Sequence, residues 1–246
     1  MRTWIAALVV ASFLLPATAG AEDKVPKADW DAMMKVYAGR AKLEEHKKAA
    51  ALVADLADKV PGDREAQLFC ARTAYYCAHR LEGKEQKATA LRGYACAQRL
   101  VKANPKDYDG RYMSAMTLFK SKVADGIQSA LKESKNVKAY LESMLKDDPN
   151  RYEAYMLLGA LYRDLPGVIS WGDPKKSVEL LEKGAALAPK DPEILLELAQ
   201  SYAKVGRTED ARKTYQKCID EGEGRKDLDW ETQDAKDYAR KMLKDL

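Results

Sequence analysis

Histidine is nearly absent from this chain: His46 and His79 are the two in 246 residues. Neither has a Cys, Asp or Glu at metal-ligand spacing, so both read as solvated helix positions and no metal site is expected. Also missing are CxxC, CxxCH, a P-loop, a G-x-S-x-G elbow and an HExxH helix. Their absence removes the sequence marks of thiol redox, haem attachment, nucleotide binding, serine hydrolysis and zinc proteolysis. Acidic pairs such as Glu44-Glu45 and Asp147-Asp148 fall on polar helix faces or ends, and nothing selects one as a general acid and base. With no site in view, neither an enzyme nor a cofactor is expected.

Charge of one sign is also lacking. Against 42 basic residues stand 38 acidic ones, for a formal net charge of +4. No basic run carries interleaved aromatics, so no nucleic-acid partner is expected. Long hydrophobic runs are confined to Trp4–Leu15, twelve residues, where a membrane span needs about 20. Arg2 precedes that run, Pro16 ends it, and Ala19-Gly20-Ala21 supplies an A-x-A site. Residues 1–21 therefore read as a signal peptide cleaved after Ala21, the alternative being an uncleaved anchor. No Cys follows the site, which argues against a lipoprotein. The mature chain is expected to be soluble and exported, periplasmic or secreted, with no membrane span.

What is present is a repeated helical pattern. Leu195, Leu198, Ala199 and Tyr202 fall at i, i+3, i+4 and i+7, one face of a helix. Gly206 breaks it, and Ala211, Tyr215 and Cys218 form the face of a second helix. The preceding copy has Tyr155, Leu158, Gly159 and Tyr162, then Ser177, Leu181, Gly184 and Pro189. Trp30, Met33, Met34 and Tyr37 repeat the first spacing near the start, followed by Ala49, Val53, Leu56 and Pro61. Two more degenerate copies lie between: Gln67, Cys70, Ala71 and Ala74 with Gly93, Ala97 and Leu100; then Tyr112, Ala115, Met116 and Phe119 with Val137, Leu141 and Met144. Pro61, Pro105, Pro149 and Pro189 recur at one phase, 44, 44 and 40 residues apart. Proline fits there because it ends one helix and occupies the turn before the next.

The pattern resembles the tetratricopeptide repeat (TPR), a helix–turn–helix unit with a W-x2-L-G-x2-Y…A-x3-F…A…P signature. The expected fold is all-α, a TPR-type solenoid of five helix pairs. Its copies run over approximately 27–61, 64–105, 109–149, 152–189 and 192–222, inside a repeat domain of 22–222. The resemblance implies a right-handed superhelix. Residues 221–226 read as a polar linker. Asp229 is placed to cap a last helix over 228–246, with Trp230, Ala235, Tyr238, Met242 and Leu246 covering the exposed end of the stack. Asp63 is placed to cap the second copy, and the stretch from Ser121 to about Ser134 reads as a long connector.

The resemblance implies that first helices line a concave groove. In register, that groove takes Lys35 from the first copy and Arg72, Tyr75 and Tyr76 from the second. The third gives Met113, Thr117 and Lys120, the fourth Met156, Ala160 and Arg163, the fifth Leu196, Gln200 and Lys204. This set is apolar and basic with no acid. It suits a peptide or ligand with a carboxylate and an apolar body, or else its cations simply solvate the groove. The leading expectation is a non-enzymatic scaffold for a peptide or partner protein. The alternative rests on the leader, the degenerate repeats and a WGD insertion, which look similar to the periplasmic T-component of TRAP-type transporters. That family implies a small or hydrophobic ligand and a solute-binding protein as partner.

Two local features complete the sequence. Between Tyr162 and Ser177 lie six more residues than between Tyr202 and Ala211. Val168, Ile169 and Trp171 in this insertion suit either a functional loop at the groove or packing under a neighbour, with Asp173 and Pro174 opening the next helix. Four cysteines in an exported chain invite a disulfide. A hairpin turning near Glu82 and Gly83 sets Cys70 opposite Cys96. Cys77, about 10.5 Å from Cys70 along one helix, is too far to pair with it, and Cys218 reads as a small buried hydrophobe.

Overall fold

A computed structural model describes residues 24–224 and 228–246. The leader 1–21 and part of the polar linker, 225–227, lie outside the described residues. Those described form eleven helices and no strand. The first four are α1 (Lys27–Tyr37), α2 (Leu43–Lys59), α3 (Arg64–His79) and α4 (Gly83–Ala103). Next come α5 (Tyr108–Ala124), α6 (Ile127–Asp147), α7 (Tyr152–Asp164) and α8 (Pro174–Leu187). The last are α9 (Pro192–Lys204), α10 (Thr208–Glu221) and α11 (Asp229–Asp245). Each odd helix from α1 to α9 packs on the even one that follows, and each pair packs on the next. The fold is an all-α TPR-type solenoid, as the family resemblance implies.

The turns between pairs are built alike. Pro61, Pro105 and Pro189 each stand two residues before an aspartate: Asp63, Asp107 and Asp191. The amide of each aspartate closes the turn, onto the carbonyls of Val60, Asn104 and Ala188 respectively. Each side chain then accepts amide hydrogens at the start of the next helix. The helix is thus supplied with acceptors for donors that have no intrahelical partner. Pro149 is followed by Arg151, which makes no such cap.

The apolar faces are buried as a continuous stack. Met33, Ala71, Leu141, Leu158, Leu181, Ala199 and Ala211 are at most 2% exposed. The expected long connector from Ser121 to Ser134 is instead helix, since α5 runs to Ala124 and α6 begins at Ile127. Gly126 makes this two-residue turn possible with φ +101, a conformation open to glycine and costly for other residues.

α11 does more than cover an end. Asp229 does not cap it; it is the first helical residue, and its carboxylate binds Arg40. Arg40, in the turn between α1 and α2 and 3% exposed, also donates from Nε and Nη2 to the two oxygens of Glu231, at 3.0 and 2.8 Å. The buried stripe of α11 is Glu231, Ala235 and Ala239, while Tyr238 and Leu246 are exposed. Arg80 at the end of α3 lies over the Trp230 ring and donates to the carbonyls of Arg40 and Ala41. His46, expected in solvent, is fully buried with its ring edge-on to Trp230. The turn after the first helix and the last helix therefore meet.

Cys70 and Cys96 are joined by a disulfide between α3 and α4. Cys77 and Cys218 are free and buried, and the Cys218 thiol donates to the carbonyl of Pro192.

Candidate ligand-binding cavity on the concave face

The first helix α3 puts its C-terminal half, and α5, α7 and α9 mainly their N-terminal halves, against one space, and α11 lies across it. Two adjoining cavities result, of about 70 and 320 Å³, sharing Tyr75, Tyr76, Met116, Met156 and Glu193 as walls. Of the residues placed in the groove by register, Arg72, Tyr75, Tyr76, Met113, Met156, Leu196 and Gln200 line them. Lys35, Thr117, Lys120, Ala160, Arg163 and Lys204 do not. Lys35 and Lys204 are exposed. Thr117 is fully buried, its hydroxyl donating to the Met113 carbonyl and its methyl facing Gly93 of α4. Lys120 Nζ stands 3.2 Å from Nδ1 of His79.

The expected line of open cations is not there. Arg163 is 9% exposed and donates to both Asp164 and Glu197. Arg72 faces Asp109 at 3.8 Å. The acids absent from the registered set supply the charge of the cavity instead. Glu153, Glu193 and Asp109 line the inner part, Glu197 and Asp234 the outer. Their signal was legible: Glu153 and Glu193 precede Met156 and Leu196 by three residues, which places them one turn earlier on the same helix face. Both lie in the first turn of their helices, where the helix dipole favours acids.

Glu193 occupies the centre. Its Oε1 accepts a hydrogen bond of 2.8 Å from the Tyr76 hydroxyl, tying α9 to α3 across the concave side. Burial, then the carboxylate of Asp191, push its pKa up to about 7, against the Tyr76 hydrogen bond. Burial likewise raises Glu197 and Glu153; Arg163 opposes the shift at Glu197, and the carboxylates of Asp109 and Asp191 add to it at Glu153. The Glu153 Oε2 atom and the Tyr112 hydroxyl are buried without a hydrogen-bond partner.

The insertion does not reach this cavity: none of Val168, Ile169 and Trp171 lines either part. Trp171 packs between α6 and α7. Its Nε1 donates to the Ser134 hydroxyl at 3.1 Å, its ring meets Tyr162 edge-on, and Lys138 lies over both rings. The loop closes tightly at Gly172, where an added Cβ would sit 1.7 Å from the Leu165 carbonyl oxygen. Asp173 caps α8 with Pro174 at its first position. Val168 and Ile169 are left outside, 97% and 70% exposed.

Residues 33–165, more than half of the 246, match the family model described as Regulator of microtubule dynamics protein 1-3. The chain belongs to that family. Residues 170–224 match a tetratricopeptide repeat model. No curated protein matches the chain. Among solved structures, the TPR protein TTC0263 of Thermus thermophilus aligns with TM-score 0.61 at 18% identity, over 87% of this chain and 97% of that one. That likeness shows the shared solenoid fold. MamA of Desulfovibrio magneticus RS-1 aligns with TM-score 0.45 at 15% identity, over 80% of this chain and 96% of that one. YrrB, described as a TPR protein with an unusual peptide-binding site, aligns with TM-score 0.40 at 17% identity, over 89% and 100%. No helix among the described residues is long and apolar enough to cross a membrane.

Proposed function

We propose that this chain is an exported, non-enzymatic TPR-type scaffold that receives part of a peptide or protein partner in its concave cavity. The observation that carries the proposal is the cavity itself. Three first helices give it a wall of Tyr75, Tyr76, Met113, Met116 and Met156 around space that the stack does not fill. Tyrosine and methionine are side chains suited to recognition, the first rigid with a polar tip, the second adaptable. Export is supported by the leader pattern of residues 1–21 and by the Cys70–Cys96 disulfide, a bond that persists in oxidising compartments. The same two features argue against carrying the microtubule activity in the family's name to this chain. A photo-crosslinking side chain tests the proposal when placed at Met156 in the cavity and at exposed Lys183 on α8. Adducts to a partner chain from Met156 alone support it. Adducts from Lys183 alone move the binding surface to the outer face.

A second role, as the periplasmic accessory component of a TRAP-type transporter, draws on one observation. α11 closes the concave side down to about 320 Å³, within the range of small-molecule pockets. Native mass spectrometry of the exported protein separates the two roles, since a retained small molecule favours the transporter role and a retained chain the scaffold.

A further inference from the structure

The inner cavity carries more negative charge than its surroundings neutralise. Among the residues that line it stand Asp109, Glu153, Asp191 and Glu193 against one arginine, Arg72; outside the lining, Arg64 pairs with Asp109 and the Arg151 charge acts on Glu153. Asp109 is engaged by Arg64 and Arg72. Asp191 caps α9 and accepts from the Tyr152 hydroxyl at 2.9 Å. Glu193 accepts from the neutral Tyr76 hydroxyl, and Glu153, which lines the cavity, has its Oε2 buried without a hydrogen-bond donor. A buried carboxylate without a cation is costly.

An independent observation points the same way. Tyr112 is 8% exposed and lines the cavity, yet its hydroxyl has no partner. Buried polar groups are nearly always hydrogen-bonded, so an orphan beside an open space marks the place of a missing group. A group that donates hydrogen bonds to the Glu153 carboxylate and the Tyr112 oxygen, carries positive charge and brings an apolar stem past Met113, Met116 and Met156 would answer both. Among the described residues no three of His, Cys, Asp and Glu gather closely enough to hold a metal ion, and the methionine and tyrosine walls suit an organic cation. The tyrosine faces add cation–π attraction.

We infer that the concave cavity binds an organic cation, a primary ammonium or guanidinium on an apolar stem, held by Glu153, Glu193 and Tyr112. The inference rests on the concave cavity being the binding site and assigns the charge of its occupant. The cation comes either from a free amine or from a Lys or Arg side chain of a partner segment.

Isothermal titration calorimetry of the whole mature protein tests it with four probes: n-octylammonium, n-octanoate, and the blocked peptides LLKLL and LLELL. At least one cationic probe is expected to bind about ten-fold or more tighter than its anionic counterpart, since a charged hydrogen-bond pair is at stake. Glu153→Gln with Glu193→Gln should remove that preference while Tm does not fall. Binding of n-octylammonium alone identifies a free amine as the source, and binding of LLKLL alone a partner side chain. Equal binding of anionic and cationic probes overturns the inference but leaves the cavity as the site. Binding of neither cationic probe also overturns it, and adducts from Met156 then decide separately whether the cavity is used.

Discussion

Glu193 is the residue at which packing and recognition conflict. Its carboxyl sits against Tyr76 of a helix 117 residues away, with Asp191, Glu197 and Glu231 as the other acids that raise it. A carboxyl whose folded pKa lies near 7, above the ordinary glutamate value of 4.5, holds its proton more tightly when folded. The folded state then binds more protons than the unfolded state between these values, and stability falls as pH rises through that window. Below the lower value both states are protonated and this group sets no slope. Glu193→Gln keeps an acceptor for Tyr76 and removes the charge. The variant is expected to match the parent in Tm near pH 5 and to exceed it at pH 8, in a thermal melt series across that range. A parent curve that Glu193→Gln leaves unchanged in slope would mean that this carboxyl ionises freely in the folded protein.

At the scale of elements, the helices were legible and several of their joints were not. Leu195, Leu198, Ala199 and Tyr202 share one buried face, because a 3.6-residue period is written directly in side-chain polarity. The turn at Gly126 was not legible as a sharp one, since it carries no proline and both flanking helices run longer than their repeats require. The Pro-x-Asp turn was legible in part: proline spacing gave the phase, and the cap was read at Asp63 but not at Asp107 or Asp191. The WGD insertion divides into an anchor and a tip. Trp171→Ala removes a ring held by Ser134, Tyr162 and Lys138 and is expected to cost about 2 kcal/mol, below the cost of a fully buried Trp. Ile169→Ser at the exposed tip should stay within about 0.5 kcal/mol. Urea denaturation of the two variants checks this ordering, and a reversal would place the tip, not the anchor, in the packed structure.

For the whole molecule, what the sequence could not disclose is contact between its ends. Asp229 stands where a cap is expected, and nothing local says that Arg40, 189 residues earlier, will claim it. The same distance hid the part of the cavity's charge that α11 brings, Asp234. The pair Arg40–Glu231 is buried on both sides, 3% exposed each, so removal of one partner leaves a charge stranded. Arg40→Leu is expected to lose about 3–5 kcal/mol, and Arg40→Leu with Glu231→Leu to recover most of it. Guanidinium titrations of the two variants measure this, and equal losses in both would assign the effect to the guanidinium lying over the Tyr37 ring.

That clasp also changes how the molecule can come apart. In an open row of repeats, stability is nearly a sum over neighbours, and either end frays without consulting the other. Here the turn after α1 cannot move away without stripping Arg40 from Glu231, and α11 cannot lift without taking from Arg40 the carboxylates of Asp229 and Glu231. Fraying at the two termini becomes one concerted event. Its closing step joins residues 191 apart and carries the chain entropy of a long loop, so it belongs at the end of assembly, after the intervening pairs have shortened the distance to be spanned.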